Sequence, residues 1–370
     1  MAVILNVIFS ALFMSFAWVL RGQFGHEIGA AIPGAYVALA ASVLIKKDNW
    51  RQSFAQSVIL SSLGFCLGGY FSFGNLISQI TSASNLKDVI PQLIEIFSIG
   101  AIWGGLGMVF LGFGLSEKGI EKKDYLLFAF SGITWWATDL LRLEHYGVPI
   151  YGLSLLLIHL YNVFVKRSQI ILWCLFFGVL GFGGGFLISV LLNFYGTHGH
   201  WSGIWWTLGD VIWGGIGGIF LMFCFLFIQK KGFEPMPLNS FRVIRYGFIF
   251  FTVALPAVET LNVYQKWFQG KPPINPVLWP AIFLIGSSLM LGIIALVFLG
   301  EENDVFEEPS LNRIIFRSLV FSIIYLAMMA ILKSVWYSGA GSWQVFFTYL
   351  IISGLVLCLA AWGYLRGESN

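Results

Sequence analysis

The chain has 370 residues, 58% of them hydrophobic and 11% charged, with a formal net charge of +3, and its mean hydropathy is +0.82. Soluble domains carry about 25% charged residues, so this composition excludes an ordinary soluble enzyme and points to an all-α polytopic integral membrane protein. The small positive charge comes from residues that flank apolar runs and gives no support for nucleic-acid binding.

Charged and Pro/Gly-rich breaks predict about twelve transmembrane helices, at 3–21, 28–45, 54–80, 91–117, 124–141, 147–165, 169–195, 201–229, 241–262, 276–299, 313–337 and 341–365. The opening stretch MAVILNVIFSALFMSFAW lacks a basic n-region and a small-residue cleavage site, so it reads as a retained first helix rather than a secretory signal. No segment between the spans is long enough for a soluble domain. Cys66, Cys174, Cys224 and Cys358 all lie in apolar runs without CxxC spacing, which argues against disulfides and a cysteine metal site.

Sorting the loops alternately gathers Lys46, Lys47, Arg51, Lys118, Lys122, Lys123, Lys166, Arg167, Lys230, Lys231, Arg242, Arg245, Arg313, Arg317 and Arg366 on one side. Arg21, Lys87, Arg142, Lys266, Lys271 and Lys333 fall on the other. The positive-inside rule then predicts that both termini are cytoplasmic, in a bacterial inner membrane, with the RGQFGHEIGAAIPGA stretch facing outward.

The chain also echoes itself. LGFCLGG (63–69) and IWGGLG (102–107) recur as LGFGGG (180–185) and IWGGIG (212–217), displaced by 117 and 110 residues. A displacement of four spans predicts parallel four-helix repeats at 1–120 and 121–232, with 233–370 as a degenerate third, all within one membrane domain. The same displacement brings Leu20-Arg21 onto Leu141-Arg142 and, with a short gap, His26 onto His145 and Pro33 onto Pro149.

Candidate functional residues concentrate on the predicted outer side. An arginine at the border of hydrocarbon is costly and usually faces a bundle interior or a water-filled cavity, and its planar guanidinium suits carboxylate or phosphate. Arg21, His26, Glu27, Arg142, Glu144, His145, His198, His200 and Trp206 are therefore the expected solute-binding residues. The plainer alternative is that the arginines snorkel to headgroups or pair with nearby acids.

Glu95, Asp139, Asp210 and Glu259 fall inside predicted spans, and carboxylates so placed exchange protons or coordinate Na⁺. Asp139, Asp210 and Glu259 are the expected ion-coupling residues, Asp210 foremost because it precedes a glycine cluster. No resident cofactor is expected, only Na⁺ or H⁺ as a coupling ion, and the HxH of YGTHGHW is too unspecific to predict a metal site. His159 is expected to be an interhelical donor with Asn162 as its neighbour.

The glycine clusters lie within helices and read as close helix packing, not as a phosphate loop. Most of the fifteen tryptophans, Trp18 among them, read as an interfacial belt. Neither G-x-S-x-G nor HExxH occurs. The expectation is a secondary active transporter of a small, anionic organic solute, a sugar acid or carboxylate, with membrane lipids and that solute as its partners. The alternatives are a membrane-embedded transferase or hydrolase with an outward His/Glu/Arg site acting on a lipid-linked or periplasmic substrate, and a subunit of a larger membrane assembly.

Overall fold

A computed structural model describes residues 2–24, 28–45, 47–69, 74–140, 147–199 and 205–236, and every regular element among them is helical. In chain order these are α1 (Ala2–Phe24), α2 (Ala31–Leu44), α3 (Asp48–Gln52), α4 (Phe54–Gly68), α5 (Gly74–Ser82), α6 (Ile90–Gly114), α7 (Lys122–Leu140), α8 (Gly147–Tyr161), α9 (Gln169–His198) and α10 (Trp205–Lys230). Short 3₁₀ turns precede α2 and α6, and a π-helical turn, Asn162–Lys166, follows α8. The first eight predicted spans correspond to these helices. One departs from expectation: the span predicted over 54–80 ends at Gly68, and α5 starts anew at Gly74. The four spans predicted beyond residue 240 lie outside the described residues.

Six helices form a closed ring in the order α1, α2, α4, α6, α9, α10 and back to α1. Neighbours around the ring run antiparallel. Along the α1–α10 seam, for example, the hydroxyls of Ser10 and Ser15 donate to the carbonyls of Gly218 and Val211. Glycines make such close seams possible. A Cβ built on Gly34 of α2 would lie 2.5 Å from the Ser61 carbonyl of α4, and one on Gly104 of α6 would lie 2.6 Å from the Gly178 carbonyl of α9. Gly214 of α10 likewise abuts the Met14 carbonyl of α1, Gly68 packs on Trp103 and Gly185 on Trp213. Small-residue contacts of this kind let helix backbones approach closely.

Three helical segments, Leu86–Gly114, Gln169–His198 and Leu208–Lys230, are long and apolar enough to cross a membrane. The thirty residues of α9 extend about 45 Å at 1.5 Å per residue. Ile94, Leu126, Phe164, Phe176, Ile188 and Phe223 are exposed, whereas Ser10, Ser57, Ser61, Gln56 and Arg21 are buried. Large apolar side chains thus lie on the outer surface as well as in the core.

The basic loops gather at one end of the ring. Lys47 Nζ donates to Glu234 Oε1 at 2.6 Å, and the Met236 amide donates to the Ser116 carbonyl. Lys166 and Asp124, both 0% exposed, pair at 2.5 Å. Lys166 also donates to the Gly119 carbonyl, and the Tyr161 hydroxyl and Glu121 amide donate to Asp124. With so many partners this buried pair ties the start of α7 to the end of α8, a structural staple. Asn162 bonds both ways with the Ser168 backbone. The expected neighbour of His159 is therefore already engaged.

Candidate functional site

At the opposite end of the ring, α1 and α10 bring together two residues that are 189 positions apart in the chain. Arg21, on the last turn of α1, donates from Nη2 to Asp210 Oδ1 at 2.8 Å. The arginine side chain is 2% exposed and the aspartate 18%. The guanidinium carbon also lies 5.8, 5.1 and 5.6 Å from the ring centroids of Trp18, Trp103 and Trp213. A cation that close to aromatic faces is attracted by the ring quadrupole, by about 2 kcal/mol when desolvated. The site thus brings the Arg21 guanidinium against the Asp210 carboxylate and three indole walls, drawn from α1, α6 and α10.

Local structure explains each placement. Trp18 lies three residues before Arg21 and Asp210 three before Trp213, so each pair shares one helix face. Trp103 is fixed by the α4–α6 seam, where its Nε1 donates to the Phe65 carbonyl at 2.9 Å and its backbone fills the space beside Gly68. The indoles hold one another: Trp18 and Trp213 are 4.8 Å apart, Trp103 and Trp213 5.1 Å, and Phe186 stacks on Trp213 at 3.9 Å. Trp18 further meets Phe182, which meets Phe65 at 5.3 Å. An aromatic plug therefore lies under the ion pair and makes one side of the site dry and rigid. Trp18 Nε1 is buried without a hydrogen-bond partner.

Of the expected solute-binding residues, Arg21 is in this site. His198 is not on the ring axis: it is exposed at the end of α9, with its ring nitrogens 2.8 Å from the Phe194 carbonyl and 2.7 Å from that of Ala83, a contact that anchors the loop after α5. His26, Glu27, Arg142, Glu144, His145 and His200 lie outside the described residues. Trp206 belongs to the first turn of α10, but its side chain is outside the description. Among the expected coupling residues, Asp210 joins Arg21, Asp139 is in the last turn of α7 with its side chain outside the description, and Glu259 lies beyond residue 236. Glu95 is exposed on α6.

Sequence reasoning missed the three-tryptophan wall. Trp18 was expected in an interfacial belt, yet it is fully buried, as are Trp103 and Trp213. The signal available was the shared IWGG of Trp103 and Trp213. It also missed the staple of Lys166 and Asp124, whose only trace was a lysine directly abutting the apolar run YNVFV. Among the described residues no three His, Cys, Asp or Glu side chains converge. Compared with known protein families, curated proteins and solved structures, the chain matches none.

Proposed function

We propose that the protein is a transporter of a small organic acid, set in a bacterial inner membrane with both termini cytoplasmic, and that Arg21 is its solute-binding residue. The observation that carries this reading is the Arg21–Asp210 pair, sunk into the end of a helix ring opposite the basic loops and partly open only on the aspartate side. Removing one member of a buried pair costs about 3–5 kcal/mol because the other is left uncompensated. An incoming carboxylate avoids that cost by taking the place of Asp210 on the guanidinium. Asp210, so released, needs a proton or Na⁺ in its turn, which would couple solute entry to an ion.

The repeat belongs to the same proposal, with a shorter unit than four spans. Contacts around the ring favour a helix pair, α1–α2, α4–α6 and α9–α10, used three times about one axis. Gly34, Gly104 and Gly214 meet the carbonyls of Ser61, Gly178 and Met14 respectively, each on the first helix of the following pair. In that alignment Trp18, Phe65 and Phe182 are equivalent. Arg21 falls where the other pairs have Gly68 and Gly185, and Asp210 where they have Ala30 and Gly100. The ion pair is therefore one place where the copies differ in charge, as expected of a site that one duplicated scaffold has acquired.

The test is a thermal-shift screen of the purified chain against carboxylates, sugar acids, phosphates and neutral sugars, with and without Na⁺. A carboxylate that stabilises the wild type and leaves Arg21→Ala unchanged supports the reading, since a ligand raises stability only through the state it binds. Equal stabilisation of Arg21→Ala would remove Arg21 from the site.

A further inference from the structure

Resting on that reading, we infer that the basic end of the ring is the transporter's inner gate, with Glu234 as the latch that holds it shut. A solute bound by Arg21 must leave through the other end of the ring, and there the chain closes over the mouth. The helices α2, α6 and α10 all finish at this end, and the segment that follows α10 straps the three together. The Phe233 amide turns back to the Ile228 carbonyl of α10, and the Met236 amide donates to the Ser116 carbonyl just past α6 at 3.1 Å. Between them Glu234 accepts from Lys47 at 2.6 Å and from the Asn49 side chain at 3.3 Å, at the corner between α2 and α3. Next to Asn49, Trp50 is fully buried against Phe225 of α10, their ring centroids 5.5 Å apart, so the same corner also stops the ring.

What the latch restrains is α4. The hydroxyls of Ser53, Ser131 and Ser154 each donate to a carbonyl one turn back. Those of Ser57, Ser61 and Ser62 are buried without a partner, as are Gln56 Oε1 and Trp50 Nε1. Polar atoms buried unpaired are unfavourable, and these lie together on α3 and α4, where Ser61 and Ser62 meet Gly34 of α2 and Ser57 meets Gly114 of α6. Water entering those two seams therefore favours an open state. Opposing it is an ion pair whose members are 39% and 49% exposed, which is weak and sensitive to salt. That balance makes the α3–α4 corner the part of the ring that moves, by sliding along its glycine seams, while α1 and α10 keep the Arg21–Asp210 site together.

The test is the rate at which N-ethylmaleimide alkylates Ser57→Cys in the full-length detergent-solubilised chain, with the modified residue located by peptide mass spectrometry. Ser61→Cys is the second reporter if the first variant does not fold. Adding Glu234→Ala, or screening the latch with about 1 M NaCl, where the Debye length is about 3 Å, should speed alkylation about fivefold, the effect of an exposed ion pair at the top of its range. In Glu234→Ala salt should add nothing further. Cys174, buried beside Cys224 in the α9–α10 seam of the same molecules, is the internal reference and should keep its rate. Equal rates with and without the latch, or a rise at Cys174 as large as at position 57, would overturn the gate, and stabilisation of the wild type by a carboxylate would still leave the solute site in place. A latch effect confined to α4 in a protein that no carboxylate stabilises would support the gate and overturn the organic-acid solute alone.

Discussion

Replacing Arg21 by alanine leaves Asp210 without its cation and strips a guanidinium from three indole faces. The first effect lies near the lower end of the range of about 3–5 kcal/mol for a broken buried pair, since Asp210 is 18% exposed and keeps some access to water. Lost cation–π attraction adds about 2 kcal/mol, for a total near 5 kcal/mol. Asp210→Asn keeps the shape but takes the carboxylate charge away from a guanidinium that is 2% exposed and cannot shed its proton, at a cost of about 3–5 kcal/mol. The combination Arg21→Ala with Asp210→Asn removes both charges, so it should cost about 2 kcal/mol, chiefly the lost cation–π attraction, far below the sum of its parts. Unfolding by graded addition of SDS to detergent micelles, followed by far-UV circular dichroism on the full chain, measures all four proteins. A double variant as unstable as the two single changes added together would mean that Arg21 and Asp210 do not interact.

Other seams give further tests. Gly185→Leu places side-chain atoms against the Trp213 carbonyl, which a Cβ alone would approach to 2.9 Å, and overpacking of this kind costs about 1–3 kcal/mol; the variant should fail in yield and thermal midpoint, and normal values for both would refute the tight α9–α10 seam. Lys166→Met should destabilise by about 3–5 kcal/mol because Asp124 is left buried without its cation, measured by the same SDS unfolding. The thiols of Cys174 and Cys224 lie 3.9 Å apart, so copper-phenanthroline oxidation should join α9 and α10, seen as a mass loss of two hydrogens that is absent in Cys224→Ala. Glu121, hydrogen-bonded by Lys123 and close to Lys166, has its carboxyl held below the ordinary range. The stability this adds is present above the unfolded-state pKa and fades as pH falls through the lowered folded value, so Lys123→Ala should flatten the acid limb of the thermal midpoint.

Sequence periodicity carried the helical class and most helix ends because long apolar runs bounded by charge leave few alternatives. The glycine clusters were readable as packing for the same reason: in a helix flanked by Phe and Trp, a missing side chain marks where a neighbour enters. Arg21 and Asp210 were each conspicuous as charges beside long apolar runs, but their pairing was not readable, because 189 residues separate them and α2 to α9 intervene. The indole cage was harder still. Trp18 near the end of a span looks the same in sequence whether it faces headgroups or the axis, and only the ring closure of α1 against α10 decides. Lys166 resembled a cytoplasmic loop charge, and the π-helical turn that carries it to Asp124 leaves no periodic mark.

Uptake into proteoliposomes of the radiolabelled carboxylate that stabilises the wild type most tests the solute site most directly. A transporter built on the Arg21–Asp210 pair predicts saturable uptake by the wild type, none by Arg21→Ala, and, in Asp210→Asn, exchange of internal for external solute without net accumulation. Wild-type uptake rates in the Arg21→Ala protein would contradict it.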